Sequence, residues 1–360
     1  MQKKIIVLAL AAAFSAPVFA ADTTVYGVVD ATIANIAASG TKSDMSVHSG
    51  GLAGSRLGVK SSEDLGDGLK ASIVLEYSLD TVTGAALSTA RQTYVSVDGG
   101  FGKVAVGYLQ TTGYDFSRFD PTAGSLITPL GNITGKTGFL IGNSASLKRL
   151  PRAIGYTTPD MGGFTVAANY STAAETTTDL GVADASTEAK ATAYMVSANY
   201  VAGSLAAAVV YANKTDNVAA AATTGAAKIT ETALGASFDL GMAKLFATYQ
   251  INKDDSIASG DSDKVMSVSA SAPFGASSVV LSYAKGTMTA QGTDKDVSGY
   301  TVAYLNSLSK TTTFYAAYSA MSQGSATRTY SVASNVIGGD ADLALGTGSS
   351  MVAVGLNKKF

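Results

Sequence analysis

Hydrophobic and polar residues alternate one by one along most of the chain. Phe164, Val166 and Tyr170, for example, share one parity of the sequence. Thr165 and Asn169 share the other parity. Successive side chains of a β-strand point to opposite faces, so a period of two predicts strands with one face in an apolar medium and the other in a polar one.

The alternation recurs in sixteen segments that are joined by connections of two kinds. The segments cover residues 23–36, 54–64, 68–80, 90–98, 102–111, 151–159, 163–171, 188–201, 203–214, 228–240, 241–253, 262–274, 275–287, 298–309, 310–321 and 349–360. Long polar loops lie near 37–53, 112–150, 172–187, 214–227, 254–261, 288–297 and 322–348. The other connections are short turns rich in glycine, proline and aspartate. Short turns at one rim and long loops at the other are typical of a bacterial outer-membrane barrel.

The composition favours the same fold class. Only 14% of the residues are charged, whereas a soluble domain averages about 25%. A sheet in hydrocarbon must close, because each unpaired backbone group costs several kcal/mol there. Sixteen strands leave an aqueous channel inside, and an even number places both termini at the short-turn, periplasmic rim. We therefore expect an all-β fold, a transmembrane antiparallel 16-stranded β-barrel, rather than a soluble β-sandwich or passenger domain.

The first twenty residues read as a secretory signal peptide. Lys3 and Lys4 precede a short apolar stretch, and small residues end the segment at Ala20. The apolar stretch is too short for a membrane span. Residues 21–360 then form a single barrel domain with 23 basic and 27 acidic residues. This balance gives nucleic-acid binding no support.

Aromatic residues gather at the ends of the predicted strands. Phenylalanines lie beside short turns at Phe101, Phe164 and Phe274. Tyrosines lie near the loop ends at Tyr170, Tyr211, Tyr249, Tyr283 and Tyr318. Amphipathic rings collect at membrane interfaces, so we expect two aromatic girdles.

A set of characteristic stretches lies at residues 25–30, 54–71, 91–95, 101–107 and 156–159 and at the terminal Phe360. Together these stretches resemble the general porins of Gram-negative bacteria of the Neisseria and Burkholderia type. The resemblance implies a homotrimer in the outer membrane, in contact with lipid and lipopolysaccharide, that passes small hydrophilic solutes and ions. It also implies that the third long loop, 112–150, folds into the pore as a constriction loop, and that Phe360 acts as an assembly signal.

Three arginines match basic positions that such porins place on the wall of the constriction: Arg56, Arg91 and Arg152. Arg56 alternates with Leu57 and Val59, so it faces the lumen if those two face lipid. Arg91 and Arg152 share the parity of apolar neighbours and rest on the resemblance, although a β-bulge would shift their parity. Alternation also places three further charged side chains on the inner face: Lys60, Lys70 and Glu76.

The loop across the pore contributes charges of both signs. Asp115, Arg118 and Asp120 lie close together near its start. Further basic residues follow at Lys136, Lys148 and Arg149. Together with the wall arginines, they give the narrow part of the pore, which we call the neck, more positive than negative charge. This balance predicts a modest preference for anions. The alternative is that the arginines pair with carboxylates and mainly stiffen the wall.

Other functions find little support in the residues. The chain has no cysteine, and its single histidine, His48, lies in the first long loop. A Ser-His-Asp hydrolase would need that histidine in a built site, so the sequence predicts no enzyme. It also predicts no cofactor and no metal site. A substrate-selective channel and a barrel that serves only as an anchor or adhesin stay as alternatives, although a pure anchor has no use for a long third loop.

Overall fold

The chain forms one antiparallel sheet that closes on itself. The computed structural model describes residues 22–38, 43–84, 87, 89–136, 138–172, 191–216, 227–255, 262–289, 295–324, 332 and 348–360. The predicted signal peptide and most of the predicted loop residues beyond 172 lie outside these ranges. The strands of the sheet are β1 (Asp22–Ala38), β2 (Asp44–Ser49), β3 (Arg56–Gly66), β4 (Leu69–Ser78), β5 (Ala90–Gly99), β6 (Gly102–Gln110), β7 (Arg149–Thr157), β8 (Phe164–Ser171), β9 (Ala191–Ala202), β10 (Leu205–Asp216), β11 (Ala227–Asp239), β12 (Lys244–Asp254), β13 (Ser262–Phe274), β14 (Ser277–Met288), β15 (Lys295–Ser309), β16 (Thr312–Gln323) and β17 (Ser349–Lys359).

The pairing of β1 shows how these strands make a barrel of sixteen positions. One edge of β1 pairs with β17, from Val28 opposite Lys359 to Ala38 opposite Ser349. The other edge pairs with β2 at its far end and with β3 at its near end, so β2 and β3 are two halves of one position in the wall. The predicted 16-stranded barrel is therefore confirmed. β2 was not predicted, and it lies within the predicted loop 37–53.

Alternate side chains point into the lumen and out to the membrane. In β13, Val265 and Ser267 are buried inside, whereas Met266 and Val268 are exposed on the outer surface. The predicted period of two is thus visible strand by strand. None of the helices among the described residues is long and apolar enough to cross a membrane.

The loop between β6 and β7, residues 111–148, lies inside the barrel. We call it the constriction loop. It contains α1 (Thr112–Asp115), a 3-10 helix (Phe116–Phe119) and α2 (Pro129–Thr134). Its bounds differ by only one or two residues from the predicted 112–150.

Two apolar clusters pack the constriction loop against the inner wall. In the first cluster, loop residues such as Leu126, Ile133 and Phe139 contact inward side chains of β13–β17. In the second, Phe116 and Leu140 pack with Met195 and smaller apolar side chains of β9–β11, and this cluster also includes Leu109 of β6 and Leu150 of β7. The loop therefore covers the inner face of roughly half the barrel, and the polar part of the lumen lies on the opposite side.

The outer surface has two sectors of different chemistry. Exposed aromatic side chains in strands occur on β7–β16, at Tyr156, Phe164, Tyr170, Tyr194, Tyr200, Tyr211, Phe238, Tyr249, Phe274, Tyr283, Tyr300, Tyr304, Phe314 and Tyr318. On β1–β6 the exposed large side chains within strands are aliphatic or Met, for example Val25, Ile73 and Val95. Aromatic rings mark lipid interfaces, so the aromatic sector is suited to face lipid. In the β1–β6 sector, the predicted girdle residue Phe101 is exposed in the turn between β5 and β6.

The seam between the first and last strands ends at Phe360. The Gly27 N–H donates to the Phe360 carbonyl at 3.1 Å, and the Phe360 N–H donates to the Gly27 carbonyl at 3.2 Å. The Phe360 ring also lies against Gly27, where an added Cβ would overlap the ring and would lie 2.7 Å from the Arg56 carbonyl oxygen. The seam therefore needs a glycine at position 27.

We expect Gly27→Ala to destabilise the barrel by about 1–3 kcal/mol, because an added methyl must displace the ring or the backbone. Gly100→Ala is the matched control, since an added Cβ at Gly100 meets open space. Urea unfolding of the protein in lipid vesicles measures the stability of both variants. Equal unfolding midpoints for the two variants would contradict this account of the seam.

Candidate functional site

A β-bulge turns Arg91 into the lumen. Glu76 pairs with Gln92 and Tyr77 pairs with Ala90, so Arg91 is an extra residue in β5. A bulge of this kind can turn a side chain to the face opposite to the one that strict alternation predicts. The Arg91 side chain consequently points to the inner face, although it shares its parity with outward-facing valines.

Glu76 is the centre of a charged cluster on this wall. Its side chain is nearly buried, and its Oε1 lies 2.7 Å from Arg91 Nε. Its Oε2 accepts a hydrogen bond from the Tyr26 hydroxyl at 3.0 Å and lies 3.9 Å from Arg56 Nε. Arg56 also donates from Nη1 to the Gly54 carbonyl at 2.9 Å. One carboxylate therefore faces two guanidinium groups.

Two more positive groups lie next to Arg91: Lys148 at the end of the constriction loop and Arg149 at the start of β7. The Arg149 guanidinium stacks over the Tyr114 ring, 5.0 Å from its centroid. Its Nε and Nη2 are buried and have no hydrogen-bond partner within the described residues. Burial lowers the pKa of the Lys148 ammonium below its ordinary value, and the positive charges of Arg149 and Arg91 lower that pKa further.

Arg152 lies apart from this cluster. Gly107 pairs with Ala153 and Leu109 pairs with Leu150, so two residues of β7 face one residue of β6 at this point. Arg152 is one of them, with a positive φ of 48° and an exposed side chain. Arg149, predicted only as one of the loop charges, is the arginine that the fold brings next to Arg91.

The three charged residues at the start of the constriction loop have different surroundings. Asp115 is exposed and accepts a hydrogen bond from Gln110 Nε2 at 2.8 Å. Arg118 is also exposed and donates to Asn199 Oδ1 at 2.8 Å. Asp120, by contrast, is only 6% exposed.

Asp120 is turned away from the lumen and holds the loop together. Its carboxylate accepts hydrogen bonds from the hydroxyls of Thr122 at 2.6 Å and Thr128 at 2.7 Å. Burial raises the pKa of Asp120, and these hydrogen bonds offset part of that shift. The expectation that its charge faces the pore does not match this placement.

The two lysines predicted on the inner face do share the face of Glu76. In the register, Gly58 lies opposite Glu76, and Lys60 follows two residues later on the same side. The Lys60 ammonium lies 5.8 Å from the centroid of the Tyr26 ring. Lys70 is exposed near the short-turn rim, opposite Asp64 in one neighbouring strand and Asp98 in the other.

A polar clamp on the opposite wall holds the returning limb of the constriction loop. Glu231 in β11 is 1% exposed and accepts hydrogen bonds from the backbone N–H groups of Leu140 and Ile141. Gln250 Nε2 donates at 2.9 Å both to Glu231 Oε1 and to the Ile141 carbonyl. This clamp was not predicted. Its signal in the sequence is an acid at an inward position in the middle of β11, whose other charged residues, Lys228 and Asp239, lie near the strand ends.

We expect Glu231→Ala to release the constriction loop, because each backbone N–H left buried without an acceptor costs about 1–3 kcal/mol. Trypsin is too large to enter the barrel, so it cuts at Lys136 or Lys148 only when the loop leaves the lumen. Limited digestion of the folded protein in detergent measures this release. Glu63→Ala, which removes an exposed acid of β3, is the control, and equal digestion of the two variants would contradict the clamp.

The cluster offers cationic groups rather than a metal site. Within the ranges that the structure describes, no three His, Asp or Glu side chains converge in a way that could hold a metal ion. Four basic side chains around one carboxylate instead suit a passing anion.

Comparisons with known proteins agree with this geometry. The family model described as Gram-negative porin matches residues 7–326. Outer membrane porin protein 32 of Delftia acidovorans is 32% identical over 324 residues, which cover 88% of each chain. The major outer membrane protein P.IB of Neisseria meningitidis is 38% identical over 128 residues, which cover 34% of this chain and 38% of that one. A solved structure, the anion-selective porin from Comamonas acidovorans, is 29% identical with a TM-score of 0.76, covering 95% of this chain and all of that chain. The chain belongs to the Gram-negative porin family and is a channel of the outer membrane.

Proposed function

We propose that this porin is a passive diffusion channel with a modest preference for anions. The observation that carries the proposal is the cluster of Arg56, Arg91, Lys148 and Arg149 around the single carboxylate of Glu76. The solutes are ions and small hydrophilic molecules, with small anions favoured.

The solute path follows the side of β1 and β3–β7. The constriction loop fills the opposite half of the lumen with its two apolar clusters. On the open side, a recess of about 190 Å³ is lined by Gln92, Lys103, Gln110 and other polar side chains. The Lys103 ammonium lies 5.4 Å from the centroid of the Tyr94 ring. Asp115 also lines this recess, so the excess of positive charge along the path lies at the neck.

The charge balance at the neck supports a preference for anions. It argues against the alternative that the arginines only pair with carboxylates and stiffen the wall. The short ion pair with Glu76 engages Arg91, and Arg56 lies at a longer distance from the same carboxylate. Arg149 forms no ion pair among the described residues, and its Nε and Nη2 are buried, so it contributes its positive charge rather than a hydrogen bond to a passing solute. A charge at 4 Å from an ion contributes about 1–4 kcal/mol between the limits of bulk water and a protein surface. This is enough to bias permeation without trapping the ion. The name of the Comamonas relative supports the same sign of selectivity.

The assembly is inferred from the two sectors of the outer surface. An aliphatic sector without exposed strand aromatics, as on β1–β6, is suited to contact with further copies of the chain, and the aromatic sector is suited to lipid and lipopolysaccharide. We extend the proposal to a homotrimer that buries β1–β6. Phe360 remains the predicted assembly signal, and residues 1–20 remain the predicted signal peptide. An adhesin or simple anchor would have no use for the constriction loop and its basic cluster.

We expect Arg149→Gln to lower the ratio of chloride to potassium permeability about fivefold, which corresponds to about 1 kcal/mol for one charge at the neck. Arg152→Gln removes the same charge away from the cluster and should leave the ratio as in the wild type. Reversal potentials of reconstituted channels in a salt gradient give both ratios. Cation selectivity of the wild type, or a larger effect of Arg152→Gln, would contradict the proposal.

The anion preference should also fall as the pH rises into the alkaline range. The pKa of Lys148 is lowered by burial and by neighbouring cations, so this ammonium loses its proton at a lower pH than an exposed lysine does. Lys148→Arg keeps the charge, because a guanidinium stays protonated. Reversal potentials measured over a pH series should decline earlier in the wild type than in Lys148→Arg. Coincident profiles would show that Lys148 does not contribute.

A further inference from the structure

A buried carboxylate organises the segment that precedes Arg56. Residues 50–55, which we call the shelf, link β2 to β3. The Asp30 side chain in β1 is fully buried. Its Oδ1 accepts a hydrogen bond from the Gly51 N–H at 2.8 Å, and its Oδ2 accepts from the N–H groups of Leu52 at 3.1 Å and Ala53 at 3.0 Å. Three consecutive backbone groups of the shelf thus converge on one carboxylate.

Two side chains from the other end of the chain complete the shell around Asp30. The Tyr315 hydroxyl in β16 donates to Oδ1 at 2.7 Å, and Asn357 Nδ2 in β17 donates to Oδ2 at 2.7 Å. Hydrogen bonds to a charged acceptor are stronger than those between neutral groups. The carboxylate therefore ties the shelf to the first strand and to the last two strands across the seam.

The fit around this network is tight. A Cβ at position 51 would overlap both the Thr32 hydroxyl and the Tyr315 hydroxyl. Only glycine leaves room for Tyr315 to reach Asp30. The conformation of the shelf thus depends on Gly51 in the shelf itself, on Asp30 and Thr32 in β1, and on Tyr315 in β16.

The shelf in turn touches each side of the constriction. The Gly54 carbonyl accepts the hydrogen bond from Arg56 Nη1, and an added Cβ at Gly54 would lie 3.4 Å from Arg91 Nη1. The Gly51 carbonyl accepts a hydrogen bond from the Leu126 N–H of the constriction loop at 3.0 Å. A displacement of the shelf would therefore move the wall arginines and the loop together.

We propose that Asp30 is a positioning residue for the constriction. Its carboxylate fixes the shelf, and the shelf fixes where Arg56 points and where the constriction loop docks. Asp30 is buried and contacts no solute. The effect on ion selectivity rests on the proposed anion preference, whereas the effect on conductance does not.

Loss of the negative charge and loss of the positioning role predict opposite changes in the anion preference when Asp30 is neutralised. By charge alone, removing an acid near the neck makes the pore more positive and raises its preference for anions. Loss of the shelf instead frees the wall arginines and the loop, and it lowers that preference. A role in barrel folding alone changes the yield of folded protein and leaves the permeability ratio of the folded fraction as it was.

The test compares Asp30→Asn and Tyr315→Phe with the wild type in planar bilayers. Tyr315→Phe removes one hydrogen bond to Asp30 with no change of charge. Glu63→Gln, at an exposed acid of β3, is the control for loss of one negative charge. Reversal potential gives the permeability ratio, and current at high salt gives conductance and its noise.

We expect Asp30→Asn to lower the ratio of chloride to potassium permeability about two- to fivefold and to make the open current noisier, as loosened hydrogen bonds release the shelf. Tyr315→Phe should shift both quantities in the same direction by less, and Glu63→Gln should match the wild type. A rise in anion preference in Asp30→Asn with wild-type behaviour of Tyr315→Phe would overturn the proposal in favour of charge alone. Wild-type behaviour of both variants would also overturn it.

Two outcomes separate this proposal from the proposed function. If the wild type shows no anion preference, the proposed function fails, and altered conductance and noise in both variants still support the positioning role. If Asp30→Asn does not fold, Tyr315→Phe carries the test, and a wild-type ratio together with wild-type conductance then overturns the proposal.

Discussion

The structure depends on the need to satisfy every backbone hydrogen bond where no water is present. Hydrocarbon offers no partner to a peptide group, so each strand must pair on both edges and the sheet must close. The pairing of β1 with β17 meets this requirement, and the contact between Gly27 and Phe360 extends it to the end of the chain. Closure also creates a sheltered interior whose contents then determine the function.

That interior is divided into an apolar half and a polar half. The constriction loop packs its apolar side chains against β9–β11 and β13–β17, and Glu231 and Gln250 hold its returning limb in place. The loop ends next to β5, where Lys148 and Arg149 lie near Arg91, and Arg91 and Arg56 share the carboxylate of Glu76. The same packing that fixes the loop therefore places positive charge along one side of the lumen.

The sequence predicted what depends on local alternation and failed where alternation is interrupted. The barrel and the inward faces of Arg56, Lys60 and Glu76 follow from a period of two, whereas the folding of the third loop into the pore was implied by the resemblance to porins. The bulges at Arg91 and before Ala153 shift that period, so parity alone did not predict that Arg91 points inward, and only the folded chain brings Arg149 next to Arg91. Contacts between distant segments, such as the partners of Asp30 and Glu231, leave almost no local signal.

The central claim is that solutes pass between β1 and β3–β7 on one side and the constriction loop on the other. The chain has no cysteine, so a single introduced cysteine can report access from the lumen. Gln92→Cys lies on the open side, and Ala284→Cys lies on the inner face of β14 beneath the loop. A negatively charged thiol reagent should reduce the conductance of Gln92→Cys channels and leave Ala284→Cys channels unchanged. Rapid modification of Ala284→Cys, with no effect on Gln92→Cys, would contradict the account.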